Sequence, residues 1–155
     1  MPFDPASIIP PPPPGRVEML EDYFEIPLPD DYKRFVTTHN GAVPLESRFD
    51  VAGLERAVER FLPIIQDVEG HPLGWLDLEV VASQLDSRLT DDEDGENINL
   101  VPIAAVLAGD FIVLDYREGS EHPTIGLWDH EASEDFAPAV TTVARTFNEF
   151  LSILR

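Results

Sequence analysis

The stretch "DFIVLDYREGSEHPTIGLWDHE", residues 110–131, contains two apolar runs, each about as long as a β-strand. The first run ends at Tyr116 and the second begins at Thr124, so only seven residues separate them. A connection this short joins antiparallel strands, because a parallel pair needs a crossover of a dozen or more residues. The stretch therefore predicts a β-hairpin around which the rest of the fold is arranged.

Patterns on both sides extend this hairpin into a layered fold. Residues 100–104, "LVPIA", form a third apolar run, and the short link "AVLAG" predicts that it is antiparallel to the next strand. Apolar residues at helical spacing mark residues 16–24, 29–39 and 143–155. We therefore expect an α+β fold, in which an antiparallel sheet of about four to six strands packs with N-terminal helices and a C-terminal helix.

Each predicted helix has one apolar face. The expected buried residues are Val17, Leu20 and Phe24; Tyr32, Phe35, Val36 and His39; and Val143, Phe147, Phe150, Leu151 and Leu154. The second helix should stop at Asn40-Gly41, because glycine readily adopts the left-handed conformation that ends helices.

Two segments in the middle of the chain have mixed patterns. Residues 54–62 contain good helix formers, yet "RFLPII" is also typical of a buried strand that Pro63 would force to an edge or a bulge. Both alternatives stay open. Residues 73–89 predict a single helix with Leu73, Leu76, Val80 and Leu85 facing inward and with Trp75 as an anchor.

Charge is the strongest feature of the composition. The 155 residues include 30 acids and 10 bases, a formal net charge of −20, and no cysteine. Such a field repels nucleic acids and anionic lipids and attracts a basic partner. The absence of cysteine excludes disulfides and thiolate-bound zinc. No apolar run is long enough to cross a membrane and no secretory signal is present, so we expect a cytoplasmic protein.

The N-terminal residues differ from the rest of the chain. Residues 1–14 end in five prolines, Pro10 to Pro14, which favour an extended polyproline II conformation. We expect a proline-rich tail over residues 1–14 and a single domain over residues 15–155. The tail is either a stiff leader or a segment that docks on an aromatic groove.

Four motifs, in this order, resemble the SUKH superfamily, the Smi/Knr-like domain. They are "LPDDYKRFVTTHNG" at 28–41, Gly109-Asp110 before "FIVLD", "WDHE" at 128–131, and the closing Phe147, Phe150 and Leu151. The resemblance runs from about Leu20 to Leu154. Two features depart from it: "AAVLAG" replaces a glycine-rich turn before Gly109-Asp110, and the acidic loop at 90–97 looks like an addition.

The resemblance implies a binding module. Bacterial members of the superfamily are mostly cytoplasmic immunity proteins that neutralise a toxin, often a nuclease, by binding it. Fungal relatives are regulatory scaffolds in cell-wall synthesis. No catalytic residues accompany the family, so the resemblance implies no enzyme activity and no cofactor.

Asp129-His130-Glu131 raises the question of a metal or acid–base site. Consecutive strand residues point to opposite faces, so these three side chains should not converge on one ion. We expect Trp128 to pack and His130 to cap or bond to backbone as the strand ends. The acidic loop fails as an EF-hand, because Thr90 and Val101 would occupy the two positions that close the cage. We therefore expect no metal.

The acids and nearby aromatic residues are better candidates for a partner-binding surface. The predicted contact residues are Asp91, Asp92, Glu93, Asp94, Glu96, Asp110, Asp115, Tyr116, Glu118, Trp128, Asp129 and Glu131. We expect an immunity-type protein that binds a basic protein toxin, for example a nuclease, and contacts neither nucleic acid nor membrane directly. The alternative is a regulatory or scaffold module related to the fungal proteins, which the proline tract favours.

Overall fold

The computed structural model describes residues 2–94, 98–119 and 121–155. Its helices are α1 (Arg16–Phe24), α2 (Asp30–His39), α3 (Leu78–Gln84), α4 (Asp86–Leu89) and α5 (Phe147–Ile153), with short 3₁₀ turns at Pro5–Ser7 and Gly74–Leu76. Its strands are β1 (Arg48–Val51), β2 (Leu54–Phe61), β3 (Leu100–Val106), β4 (Phe111–Asp115), β5 (Thr124–Trp128) and β6 (Val140–Ala144). The strands form one antiparallel meander in sequence order, which confirms the expected α+β fold.

The predicted hairpin is the centre of this sheet. Phe111 pairs with Trp128 and Val113 with Gly126, so these four residues share one face. The alternate residues Ile112 and Leu114 pair with Leu127 and Ile125 on the other face, and all four are buried in the core. Both faces of the central strands are therefore covered, as the almost continuous apolar run "FIVL" requires.

Aromatic rings join α2 to α5 at the core. The Phe147 ring centroid lies 5.3 Å from that of Tyr32 and 5.1 Å from that of Phe35, in edge-to-face geometry. Gly41 follows α2 with φ +71°, as predicted for the end of that helix. The periodicity of residues 16–24 and 29–39 thus placed both N-terminal helices, and α2 begins one residue later than predicted, at Asp30.

The N-terminal segment lies against the domain. The Phe3 ring centroid is 5.5 Å from that of Phe35 and 4.7 Å from that of His39. The backbone N–H of Ile9 donates to the carbonyl of Asn40 at 3.0 Å, and the Arg60 guanidinium donates to the carbonyl of Ser7. Residues 3–9 therefore contribute to the packing of α2 and β2.

Residues 54–62 adopt the strand alternative. Val51 pairs with Leu54 across a two-residue turn in which Ala52 (φ 51°) and Gly53 (φ 80°) are both left-handed. Two left-handed residues are the mark of a type I′ hairpin turn, whose twist matches that of the strands it joins. Hairpin pairing thus overrides the helix formers of this segment, and Pro63 lies beyond the strand.

Two helix predictions need correction. Residues 73–89 form the 3₁₀ turn, α3 and α4 instead of one helix, because the side chain of Asp77 accepts from the N–H groups of Glu79 and Val80 and starts a new helix there. The buried residues of α3 are Leu78, Val81 and Ala82. Trp75 is 68% exposed and anchors nothing. Val143 lies in β6, so α5 starts only at Phe147.

Candidate functional site

The structure divides the predicted contact residues by exposure. Exposed are Asp91, Glu93, Asp94, Glu118 and Glu131; half-buried are Asp92, Asp115 and Asp129; buried are Asp110, Tyr116 and Trp128; and Glu96 lies outside the described residues. The buried three expose between 1% and 4% of their area. They offer no surface to a partner and hold the fold together instead.

Asp110 is the centre of a polar network at the start of β4. Its Oδ2 accepts from the Arg56 guanidinium at 2.8 Å. Its Oδ1 lies 2.7 Å from Nδ1 of His130 and 3.0 Å from the backbone N of the same residue. Both oxygens of this buried carboxylate are therefore satisfied, as burial of a charge requires. The network joins β2, β4 and the end of β5.

Gly109 makes room for this network. Its φ of +93° is accessible mainly to glycine, and a Cβ at this position would lie 3.3 Å from Cε1 of His130. The Gly109-Asp110 pair thus turns the chain and places a carboxylate under the His130 ring. The sequence contained this signal as a left-handed turn directly before a strand, but it did not reveal which residues would meet there.

Trp128 is fixed by α4. Its indole N–H donates to the carbonyl of Arg88 at 3.0 Å, and the Arg88 guanidinium lies 5.2 Å from the ring centroid. The same guanidinium donates to the carbonyls of His130 and Ser133. The prediction that Trp128 packs is correct, whereas the His130 ring bonds to a side chain, Asp110, and not to backbone.

Two carboxylates and one imidazole near Asp110 are residue types that can bind a metal ion. Asp110, Asp129 and His130 place one ligand atom each within 4.8 Å of one another. The Arg56 guanidinium lies 2.8 Å from Asp110, and Oδ1 of Asp129 accepts from the N–H groups of Glu131 and Ala132. A fixed positive charge beside the carboxylate opposes a cation. The geometry therefore fits a structural ion pair.

Tyr116 also turns inward. Its hydroxyl donates to the carbonyl of Pro27 at 2.8 Å, which ties the end of β4 to the segment before α2. Burial, with a smaller contribution from Glu21, raises the pKa of Tyr116 well above its ordinary value. Tyr116 is therefore a neutral structural hydrogen-bond donor.

The opposite end of the central hairpin is open. Asp115 binds Arg117 through both carboxylate oxygens, at 3.0 and 2.9 Å, and this hydrogen bonding raises the pKa of Arg117. Around the pair is a depression of about 720 Å³, which we call the Arg117 groove. It is lined by Asp115, Arg117, Glu118, Gly119, Glu121, His122, Thr124 and Thr142.

The first acid of the acidic loop, Asp91, lies beside this groove. A second depression, of about 240 Å³, is lined by Asp91, Arg117, the partly exposed Phe136 and neighbouring residues. Because Arg117 belongs to both depressions, the structure brings Asp91 and Glu118 to one surface. Both acids contribute to the raised pKa of Arg117.

Asp129 and Glu131 belong to a different surface. They follow the other end of β5, and a strand of five residues separates the two ends by ~13 Å. The predicted acidic surface is therefore two surfaces, one at each end of the hairpin. Sequence proximity had suggested a single one.

A comparison with protein-family models finds a match to SUKH_6, described as SMI1-KNR4 cell-wall, over residues 15–151. The chain belongs to this family. The match confirms the resemblance that the four motifs indicated. A search of curated proteins finds no match. In the part of the chain that the structure describes, no helix has the length and apolar character needed to cross a bilayer.

The SMI1-KNR4 match covers the elements that build both ends of the hairpin. It begins at Gly15, directly after the proline tract, and ends within α5. Gly109-Asp110 and "WDHE", two of the motifs behind the resemblance, meet in the Asp110 network. These motif residues are therefore explained by the fold, and they leave the exposed acids as the candidates for function.

Proposed function

We propose that this SMI1-KNR4 family protein is a cytoplasmic immunity-type protein. It neutralises a basic protein toxin, for example a nuclease, by binding it, and it performs no chemistry of its own. The observation that carries the proposal is the excess of 30 acids over 10 bases on a domain whose family implies protein binding.

Most of the basic side chains are engaged in contacts within the protein, so the excess of negative charge can attract a partner. Seven of the ten basic side chains form ion pairs with carboxylates, namely Arg16, Lys33, Arg48, Arg56, Arg117, Arg145 and Arg155. Arg60 and Arg88 donate to backbone carbonyls. Nine of the ten positive charges are thus held locally, and the formal net charge of −20 attracts a cationic surface.

A toxin that cleaves nucleic acid presents such a cationic surface, because its cleft must bind phosphates. An acidic protein that covers this cleft competes with the substrate and accelerates its own association. This mechanism requires complementary charge and shape, and it requires no catalytic group in the inhibitor.

Capture from lysate of the source organism tests the proposal, with the protein as bait at low and at high salt. We expect one basic protein at near-equal stoichiometry, with less of it at high salt. The captured protein should be toxic when expressed alone and harmless when co-expressed with this chain. A captured protein that stays toxic on co-expression, or the absence of any basic partner, would overturn the proposal.

Charge variants locate the effect. Neutralising Asp91, Glu93 and Asp94 together should weaken the complex roughly tenfold, which corresponds to about 1.4 kcal/mol. The matched control neutralises Glu18, Asp22 and Glu25, three exposed acids on or beside α1. Equal weakening by both sets would show that net charge alone, and not the acidic loop, determines binding.

A regulatory or scaffold module is the second candidate, and the proline tract supports it. Pro10, Pro11, Pro13 and Pro14 are exposed. Asn40 donates to the carbonyl of Pro10 at 3.0 Å, and the N–H of Arg16 donates to that of Pro13 at 3.1 Å. A tract held at both ends loses little entropy when an aromatic groove binds it.

Substitution separates the two candidates better than deletion, because deleting residues 1–14 also removes the packing of Phe3. Replacing the exposed Pro11 and Pro14 by alanine should abolish capture of scaffold partners and leave toxin neutralisation unchanged. Loss of neutralisation in this variant would assign the proline tract to the toxin complex.

A further inference from the structure

The two edge strands of the sheet, β1 and β6, differ in how they are protected against pairing with a further strand. At the β1 edge, Arg48 and Arg155 exchange both backbone hydrogen bonds, each at 3.0 Å, so part of this edge is already paired. The strand also carries the charged Arg48 and Asp50. Pairing and charge are the usual means by which proteins prevent a further strand from adding to an edge.

Among the described residues, the β6 edge has neither protection. Val140–Ala144, "VTTVA", contains no charged residue and no proline, and four of its five residues are β-branched. This composition favours strand pairing. An uncharged exposed edge is unusual in a chain with 30 acids, since a single carboxylate on β6 would have been enough to discourage pairing.

The backbone of β6 presents hydrogen-bonding groups on its outer side. Asp129 N–H donates to the carbonyl of Ala139 at 3.0 Å, so residue 139 faces β5. Antiparallel residues alternate between facing the neighbouring strand and facing away, and the β5–β6 register is regular from Val140 to Thr142 and shifts only after Thr142. Val140 and Thr142 therefore turn their N–H and C=O groups outward. Among the described residues, we find no hydrogen bond to these outward groups.

The acids next to the β6 edge favour a basic segment as the strand that pairs with it. Thr142 lines the Arg117 groove, whose exposed acids are Glu118 and Glu121. A strand added to β6 would place every second side chain on the groove face. Basic side chains at these positions would meet the acids. A second copy of this chain would bring a further net charge of −20 and is therefore disfavoured.

We propose that the β6 edge binds an extended basic segment of a partner protein as a seventh strand, with its Lys or Arg side chains in the Arg117 groove. The proposal rests on the proposed function in one respect: the segment would belong to the toxin. Main-chain hydrogen bonds supply the register of such a complex, and the groove supplies its preference for positive charge.

A synthetic peptide of alternating Lys and Val is the probe, titrated into ¹⁵N-labelled full-length protein at low salt. The amides of Val140 and Thr142 should shift and become protected from hydrogen exchange. Binding should weaken with salt, and an alternating Glu and Val peptide should not bind. Shifts confined to other elements, or equal binding of the acidic peptide, would overturn the proposal. Protection of these amides without peptide, growing with protein concentration, would assign the edge to a second copy.

Two changes remove the edge contact specifically. Thr142→Pro deletes an outward N–H, which edge strands tolerate, and it should weaken peptide binding at least tenfold. Thr142→Ala keeps that N–H and should weaken binding far less than Thr142→Pro. If the proline variant fails to fold, the Lys and Val peptide with alternate N-methyl groups serves instead, because it lacks the donors for pairing. If the N-methylated peptide binds as tightly as the unmodified one, the proposal is wrong.

Failure of this inference is distinguishable from failure of the proposed function. If Thr142→Pro still neutralises a captured toxin, the strand-addition inference is wrong and the immunity function stands. If no toxin is captured but the peptide protects the outward β6 amides, the edge site stands and the immunity function is wrong.

Discussion

Asp110 and Asp115 stand at opposite ends of the same strand, β4, and both were predicted to contact a partner. Asp110 is buried at 2% exposure between Arg56 and His130, whereas Asp115 binds Arg117 at the rim of an open groove. Arg56 is 54 residues away from Asp110 in sequence, and Arg117 is two residues away from Asp115. A carboxylate whose cation comes from a distant part of the sequence joins two parts of the fold. A carboxylate whose cation is two residues away joins no other element and leaves the surface accessible.

Neutralising each aspartate measures this difference most directly. Asp110→Asn should lower the free energy of unfolding by about 3 kcal/mol, because Arg56 would stay partly buried without its counter-charge. Asp115→Asn, the matched control, should cost about 1 kcal/mol or less, because the Arg117 side chain is 39% exposed and water replaces the lost pair. Urea unfolding of both variants provides the values. Equal losses would refute the distinction.

Two glycines sharpen the comparison without changing charge: Gly109 precedes Asp110, and Gly119 lines the Arg117 groove together with Asp115. Gly109→Ala should cost about 1–2 kcal/mol, since φ +93° strains any L residue and the new methyl group would press on the His130 ring. Gly119→Ala meets no heavy atom within 4 Å and should change stability by less than about 0.5 kcal/mol. Thermal unfolding of the pair tests this, and a larger effect at Gly119 would contradict it.

Tyr116 shows that the open end also has an inward contact. Tyr116→Phe should cost about 1 kcal/mol, because the carbonyl of Pro27 loses its donor. Tyr32→Phe is the control. Its hydroxyl is buried without a hydrogen-bond partner among the described residues, so the substitution should be neutral or stabilising. Denaturant midpoints that change equally would show that the Pro27 contact contributes nothing.

Alkaline pH provides a smaller, separate test of the same two tyrosines. Burial raises the pKa of both in the folded protein, whereas in the unfolded chain they ionise near pH ~10. Their neutral forms therefore stabilise the fold fully below pH ~10, and stability falls as the pH rises further. The double Phe variant should lose less stability between pH 9 and pH 11, by about 1 kcal/mol for each of the two tyrosines. An identical slope would contradict the burial of both hydroxyls.

Sequence patterns predicted the elements whose signals are local. The periodicity of residues 16–24 and 29–39 and the stop at Asn40-Gly41 located α1 and α2, and the short link between Tyr116 and Thr124 located the central hairpin. The sequence of β2 was compatible with both a helix and a strand. The feature that decides for the strand is the left-handed Ala52-Gly53 turn and not the composition of the segment. The break at Asp77 and the strand "VTTVA" also have local signals, namely a capping aspartate and four β-branched residues.

The candidate surface was predicted only in part, for a physical reason. Acid content and order along the chain are sequence properties, whereas exposure depends on which distant groups fold over a side chain. Tyr116 is covered through a partner 89 residues away, and Trp128 through one 40 residues away. No local pattern contains that information, so buried and exposed candidates looked alike.

Asp77 contacts three separate segments, and these contacts affect the local unfolding of the protein. Besides starting α3, its carboxylate accepts from the N–H of Ile65 at 2.8 Å and lies 3.8 Å from the Arg16 guanidinium. One side chain thus fastens α1, the segment after β2 and α3. These three pieces should behave as one cooperative unit in native-state hydrogen exchange, with α1 and α3 opening together and not one after the other.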